Sequence, residues 1–551
     1  MFQHKFGARA LMREGGKFLG AADNPTLRNI EAIQQISDML KTSLGPNSMK
    51  KLIVNHIDKK FVTSDCNTIL AELEVVHPVG KIVLSSVESQ KLQFGDGTNT
   101  LVALLGDLLT NAGELLQDGV HISDIRKGYE IAFNKLMEHL PSLVCYNIKD
   151  LRDHESLRGV LYSAMNSKFS YMSEFLSKLV TDAVISVMPA DVSTFDPQNV
   201  RVVKLTGGSL MESNVVNGLV LIREPLGSVK KAYNCRVLVL SVGLEFAGPE
   251  TKGTVLLKTA EQLLNFTKGE EKEMETVIKS ISDKGVGVIV CNGAVSEMAL
   301  HFCNKYNILV LKLISKFDLR RVCRTTRSQA VMNLSQLLPQ KTDVQNGATA
   351  DVNEELGYVE SVELTEISSK KCVIMKAKDS RVNTIVLKGA TNNQLDEVER
   401  GIDDAVALVD NLKVDGKFLP GAGAVELQLS VLLKKFSTSV SGLERYAVEA
   451  FAKSLQVVPK ILATNAGVDC ETLLTNLLSL HENGKNNSCV DVETGSCGDS
   501  MELKVFDHYQ TKHNLLTLCY EALMTILTVD QIIVAKPAGG PKPPSQNNPD
   551  F

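Results

Sequence analysis

The residues best placed to do chemistry are the six at Gly95-Asp96-Gly97-Thr98-Asn99-Thr100, set between two stretches of helical apolar periodicity. Glycines at 95 and 97 carry no Cβ, so the backbone turns tightly there and a bulky anion reaches its amides. Leu101, Leu104, Leu105, Leu108, Ala112, Leu115 and Leu116 then recur at helical spacing. The hexapeptide therefore opens onto a helix N-terminus, whose free N–H groups and dipole favour negative charge. Phosphate fits such a loop. Asp96 adds a condition, because a carboxylate set among phosphates repels them unless a divalent cation lies between, so the loop implies Mg²⁺ together with nucleotide. The plainer use is a Gly-Asp-Gly turn with Thr98 capping the helix, which an isolated tripeptide would favour.

The elements that must hold this loop are drawn from a chain of 551 residues, longer than one hydrophobic core usually supports, so two to four domains are expected. Hydrophobic residues make up 44% and charged residues 22%, and the formal net charge of -5 gives no support to nucleic-acid binding. Eleven cysteines lie scattered without a CxxC pair or a nearby His cluster. Free thiols in a reducing cytoplasmic compartment fit that pattern better than disulfides or structural zinc. Residues Met1 to Leu19 carry Lys5, Arg9, Arg13 and Lys17 without an apolar core of signal length, and no later run reaches membrane-spanning length. The expectation is a soluble, unexported protein with no membrane partner.

Ile30, Ile33, Ile36 and Leu40 mark a first helix, expected to stop at Gly45-Pro46. Leu52-Ile53-Val54 and Phe61-Val62-Thr63 read as a hairpin that delivers Ser64-Asp65 to the next helix. The pattern is helical from there to about Leu140. Between Val202 and Leu364 the runs Val237 to Leu240, Val286 to Val290 and Ile308 to Leu311 alternate with helical segments, which predicts a separate α/β module with parallel pairing. Long helical patterns return after Gly401. The Pro-Gly-rich close from Pro537 onward predicts a disordered tail.

Seven short segments occur in an order that resembles one family. They are Ser43-Leu44-Gly45-Pro46, Thr63-Ser64-Asp65, Gly95-Asp96-Gly97-Thr98, Asn166-Ser167-Lys168, Asp404 within Glu399 to Ala405, Pro420-Gly421-Ala422-Gly423-Ala424, and Asn465-Ala466-Gly467. The chain is similar to the group II chaperonins over nearly its whole length. Ala71 to Pro78, Glu250 to Thr254 and Ala535 to Pro544 resemble one subunit type of that family's eukaryotic cytosolic member.

The resemblance implies a multidomain α and α/β fold. A helical equatorial domain would comprise residues 1–148 and 406–536, an intermediate hinge domain 149–215 and 371–405, and an α/β apical domain with a helical protrusion 216–370; 537–551 form the tail. It implies ATP, ADP and Mg²⁺ as ligands. Leu44, Gly45 and Pro46 would line the nucleotide, Asp96 would hold the metal, and Gly97, Thr98, Asn99 and Thr100 would supply amide and side-chain donors to phosphate. Asp65 and Asp404 would position and activate the attacking water. Lys168, with Asn166 and Ser167, would sense the γ-phosphate. Gly421 and Ala422 would pack on the nucleotide, with Asp507 and Lys512 near ribose and base. Implied partners are seven sister subunits in a hetero-oligomeric double ring, and non-native polypeptides such as actin and tubulin. Hydrolysis would change the contacts that hold the hinge closed over such a client.

The same residues have plainer uses. Asp65 could cap the helix that follows, Arg400 and Asp404 could form an exposed i,i+4 pair, Lys168 could be a solvated loop lysine, and Asp507 a cap. Jointly and in family order, the catalytic reading is favoured. Three positions depart from the family's glycines, namely Ser48, Cys66 and Ala422. An added Cβ beside a bound phosphate crowds it or restricts φ, so binding with slow hydrolysis is expected. The protrusion is expected near Glu245 to Glu271, with Val255, Leu256, Leu257, Leu263, Leu264 and Phe266 as its apolar surface. Ser315 to Arg327 matches the family's client-facing helix, made basic by Lys316, Arg320, Arg321, Arg324 and Arg327. Both segments could instead be ordinary core and a solvated charged face. A metabolic kinase or P-loop NTPase is disfavoured, since GxxxxGK[ST] and the kinase catalytic-loop and DFG signatures are absent.

Overall fold

The helix that follows the phosphate loop, Thr98–Gln117, organises its half of the protein. Leu101, Val102, Ala103, Leu104, Leu105, Leu108, Leu109 and Ala112 are all buried, so this helix is apolar nearly all round and takes the centre of a bundle. The structure, a computed structural model, describes residues 17–19, 25–245, 259–332, 356–368, 370–378 and 380–534. The chain divides into two compact units, Met1–Asn147 with Asp415–Phe551, and Ile148–Val414.

In the first unit Thr98–Gln117 packs against Pro25–Lys41, Tyr509–Thr528 and Glu444–Ser454. Gly106 lets Pro25–Lys41 come close, because a Cβ built there would stand 2.3 Å from the Cβ of Ser37. The Tyr129 hydroxyl, fully buried, donates to the Leu108 carbonyl at 3.0 Å, and its ring meets Phe451 edge-on. The first helix ends at Lys41, before Gly45-Pro46. Lys51–Val54 and Lys60–Thr63 pair antiparallel as the expected hairpin, and the helix Cys66–Glu72 follows directly. Lys417–Pro420 lies between Phe506–His508 and Tyr146–Asn147, antiparallel to both, so the two chain ends share one small sheet.

In the second unit a sheet of seven strands runs in the order Leu309–Lys312, Val286–Cys291, Lys231–Leu240, Gly357–Ile367, Lys370–Lys376, Leu219–Leu221, with Ala330–Val331 beside Lys231–Leu240. The first three strands are parallel, as the apolar runs predict. The other half, which the apolar runs did not announce, is antiparallel. Ile367 pairs with Lys370 across a tight turn, and a link that short permits only an antiparallel hairpin. Alternation along Lys231–Leu240 feeds two cores. Leu238 and Leu240 meet Met274, Ile278 and Phe302, whereas Val237 and Val239 meet Leu319 and Val322. A second sheet of Val200–Thr206, Asn383–Gly389 and Asn214–Asn217 packs with the helices Ser173–Val187 and Asn392–Leu412. The units part between Val414 and Asp415, whereas the expected 405/406 limit falls inside Asn392–Leu412.

Of the expected protrusion, residues 246–258, with Val255, Leu256 and Leu257 among them, lie outside the described residues; from Ala260 to Asp283 the backbone is one helix. The tail from Pro537 and the first sixteen residues also lie outside them. All eleven cysteines are free. Among the described residues no helix is long and apolar enough to cross a membrane.

Gly106→Ala is expected to push Pro25–Lys41 off the central helix and to destabilise the first unit by about 1–3 kcal/mol. A lowered urea midpoint checks this, and Ser37→Gly in the same chain should recover part of the loss.

Candidate functional site

Helix Pro78–Phe94 ends at Gly95, whose φ is 78°, and Gly97 precedes the central helix with φ of 85°. Both angles are left-handed, where a Cβ is penalised. A Cβ on Gly97 would also sit 2.9 Å from the Cδ1 of Leu515. Gly97 itself is the N-cap and no side chain caps the helix, which corrects the reading of Thr98 as cap: Thr98 is the first helical residue. The first-turn amides of Thr98, Asn99 and Thr100 thus start a 20-residue helix without a side-chain acceptor. Asp96 is exposed, and its Oδ1 accepts from the Gly97 amide at 2.8 Å.

Three buried or half-buried amide side chains fasten this loop to its neighbours. Asn99 Nδ2 donates to the carbonyls of Ser43 at 2.8 Å and Ser64 at 3.0 Å, and its Oδ1 accepts from the Cys66 amide at 2.9 Å. The side chain of Asn99 is thereby committed to backbone, which corrects its expected role as a side-chain donor to phosphate. Gln90 Nε2 donates to the carbonyls of Asp96 at 3.0 Å and Thr511 at 3.3 Å, while its Oε1 accepts from Asn514 at 2.9 Å. Asn465 Nδ2 donates to the carbonyls of Lys41 and Leu44 at 3.2 and 2.8 Å. That bond holds the loop of Leu44, Gly45 and Pro46, in which Gly45 has φ of 89° and Ser48 donates its amide to the Gly45 carbonyl.

Asp65 is buried and caps Cys66–Glu72, its Oδ2 accepting from the Thr68 amide at 3.2 Å and the Thr68 hydroxyl at 2.8 Å. Lys91 Nζ stands 3.9 Å from Oδ1. The capping reading is therefore realised, on a carboxylate that the Asn99 bond to Cys66 ties to the phosphate loop. Cys66 is fully buried; burial first, then the Asp65 charge, pushes its thiol well above the ordinary range.

Gly421 donates its amide to the Val505 carbonyl, and Ala422 sits at φ of 51°, a left-handed position that glycine would occupy freely. Asp507 is a strand residue opposite Leu419, not a cap; His508 caps Tyr509–Thr528 instead. Lys512 is buried, with its ammonium 2.8 Å from Asp507 Oδ2 and 2.5 Å from Glu426 Oε1. Burial pulls its pKa down, but the two carboxylates pull it up further, so the charge is locked in place. Sequence reading missed Glu426, although an acid in the first turn after Gly421-Ala422-Gly423 is a visible signal. It also missed Gln90.

In the second unit Asn166 ends the helix His154–Asn166, Ser167 is its C-cap, and Lys168 follows. Lys168 Nζ binds Asp404 Oδ2 on Asn392–Leu412. Asp404 is buried, which corrects the exposed-pair reading, and Lys168 is not a solvated lysine. Lys316–Thr326 is a helix capped by Ser315, but its basic face is partly neutralised from within. Arg321 lies 3.1 Å from Asp318, and Arg324 lies 2.8 Å from Asp196. Lys316 and Arg320 remain exposed, next to Ile314 and Phe317, exposed by 70% and 64%.

Residues 36–537 match the TCP-1/cpn60 chaperonin family. T-complex protein 1 subunit theta of Dictyostelium discoideum is 38% identical over 546 residues, covering 99% of this chain and 99% of that protein. The human protein of that name is 39% identical over 543 residues, covering 98% and 96%. That of Arabidopsis thaliana is 40% identical over 546 residues, covering 98% and 97%.

Two outcomes follow from buried charge. His508 Nε2–H donates to the Asp415 carbonyl at 2.8 Å while Nδ1 accepts from the Thr511 amide at 3.3 Å, so the ring caps only when neutral. Burial lowers its pKa below 6.5, so its contribution is fully present above that pH and lost as pH falls through the lowered value. Protection factors of the amides from Tyr509 to Lys512, with intrinsic exchange divided out, should fall on acidification, and less so in His508→Asn. Separately, Lys168→Met takes the ammonium from a buried carboxylate and should destabilise the second unit by about 3 kcal/mol or more. Denaturant unfolding of Lys168→Met with Asp404→Leu should recover most of that.

Proposed function

Because the chain belongs to the TCP-1/cpn60 chaperonin family, and is thereby a chaperone subunit, we propose that it runs an ATP-driven cycle from the cradle in its first unit. One observation carries the reading: Asn99 draws the loops at Ser43, Ser64 and Gly97 together around an uncapped helix start. Phosphate would rest on the amides of Gly97, Thr98, Asn99 and Thr100, with Leu44, Gly45, Pro46, Gly421 and Ala422 as walls. Asp507, held by Lys512, would face the ribose and base.

Among the described residues no group of three His, Cys, Asp or Glu could hold a metal alone. Mg²⁺ needs no such cage, since it takes one or two carboxylates with phosphate oxygens and water. The single exposed carboxylate of Asp96 fits that chemistry, and a bound Mg²⁺ would neutralise phosphate charge. Asp65 takes a proton from the attacking water in this reading. Asp404, Lys168, Asn166 and Ser167 are assigned to the same reaction on the family resemblance alone.

The wider reading has three domains: an equatorial one, expected at 1–148 and 406–536 but with its second part starting at Asp415 where the units divide, an intermediate one at 149–215 and from 371 to that division, and an apical one at 216–370. The subunit would join seven sister subunits in a cytosolic double ring that closes on clients such as actin and tubulin. The exposed Ile314, Phe317, Lys316 and Arg320 support client contact at the helix Lys316–Thr326. Free thiols support the cytosol. A second reading, a subunit that binds nucleotide but hydrolyses little, is favoured by Ala422 in its left-handed conformation and by Cys66 beside Asp65.

Assembled rings photolabelled with α-phosphate-labelled 8-azido-ATP should carry label on this chain, and both Asp96→Asn and chelation of Mg²⁺ should cut it at least tenfold. Absence of label on the parent chain at saturating nucleotide would sink the reading.

A further inference from the structure

Asn99 sits in the phosphate loop, yet none of its side-chain polar atoms is directed at a ligand. An asparagine amide offers two N–H donors and one carbonyl oxygen. Both donors end on backbone carbonyls, Ser43 at 2.8 Å and Ser64 at 3.0 Å, and the oxygen takes the Cys66 amide at 2.9 Å. These partners lie 56, 35 and 33 residues away in the chain. Ser64 and Cys66 bracket Asp65, so the fork grips the peptide on either side of that carboxylate, while Thr68 fixes the carboxylate itself. The third branch ties the same atom set to Ser43, directly ahead of Leu44-Gly45-Pro46.

We infer that the Asn99 side chain is a positioning group, setting the distance of Asp65 from the loop, while phosphate would meet only the backbone amide of this residue. This rests on the reading of the cradle as an ATP site. The chemistry demands an amide. A threonine hydroxyl has one donor for two carbonyls, and an aspartate of the same shape has none, placing an oxygen against two carbonyl oxygens. Releasing the fork leaves the loop amides of Gly97, Thr98 and Thr100 where they are, held by Gln90 through the Asp96 carbonyl. Phosphate capture therefore persists while the carboxylate, still held to its own helix by Thr68, shifts with that helix relative to the loop. A misplacement of about 1 Å at such a group costs on the order of a hundredfold in rate.

The test uses full-length chain in assembled rings, as parent, Asn99→Asp, Asn99→Ala and Asp65→Asn. Cross-linking with 8-azido-ATP labelled at the α- or the γ-phosphate reports this chain's own site: α-label counts binding, and loss of γ- relative to α-label counts cleavage. Asn99→Ala should keep α-label within about threefold of parent yet slow γ-loss at least tenfold, and Asn99→Asp, judged by γ-loss relative to its own α-label, should cleave no faster than Asn99→Ala despite matching the parent's shape. Peptide mapping of thiol alkylation, read without nucleotide, should show Cys66 protected in the parent and alkylated at least tenfold faster in both variants. The inference is overturned if Asn99→Asp cleaves at the parent rate, or if α-label in Asn99→Ala falls in step with cleavage. It is also overturned if the parent keeps its γ-label as long as Asp65→Asn does. A parent with no α-label refutes the nucleotide reading instead, and unchanged Cys66 protection then refutes the positioning role by itself.

Discussion

Loops have no ladder to satisfy their backbone, and ordering them costs roughly 1–2 kcal/mol per residue in conformational entropy. Around the phosphate loop the compensation comes from side-chain amides, each spending two donors on carbonyls of loops remote in sequence. Asn99 is the centre of that arrangement. It joins the Ser43, Ser64 and Cys66 backbones, Asn465 fastens the Leu44 loop, and Gln90 fastens Asp96 to the helix Tyr509–Thr528. Buried backbone groups left unpaired carry a large penalty, so these bonds fix the cradle as well as stabilise it. The amides at the start of Thr98–Gln117 have no side-chain cap.

Buried charge is handled by the same logic. Lys512 is held between Glu426 and Asp507, and Lys168 against Asp404. Each ammonium is taken from water only because a carboxylate meets it, and such pairs fix geometry more reliably than they add stability. Lys512 thereby links the helix Ala424–Ser437 to the strand Phe506–His508, two elements that flank Gly421-Ala422-Gly423. Ala422 is the strained member of that stretch, with a Cβ in a conformation suited to glycine.

Much of the fold was legible because periodicity is local. The run Leu101 to Leu116 announced a helix, Leu52-Ile53-Val54 with Phe61-Val62-Thr63 announced a hairpin, and three apolar runs announced parallel strands. The antiparallel half of the large sheet was missed, since Gly357–Ile367 mixes apolar with polar residues and forms no solid apolar run, and the run Cys372 to Met375 lies beyond Leu364, where the α/β reading stopped. The basic helix Lys316–Thr326 looked like a free charged face. Arg321 and Arg324 are largely spent on Asp318 and Asp196, one of them far away in sequence.

By itself the sequence determined the kinds of group present: a glycine-flexed loop, a carboxylate beside it, an apolar central helix, and family segments in order. Those follow from residue type and short-range spacing, which the chain carries wherever it folds. Only the tertiary structure decided which of these groups are consumed in bonds within the protein itself. Asn99 read as a phosphate donor and Lys512 as a contact to base, but both are fully engaged within the protein. Their partners are backbone carbonyls and distant carboxylates. A carbonyl belongs to every residue alike, so no spacing in the sequence can mark the one that will be met.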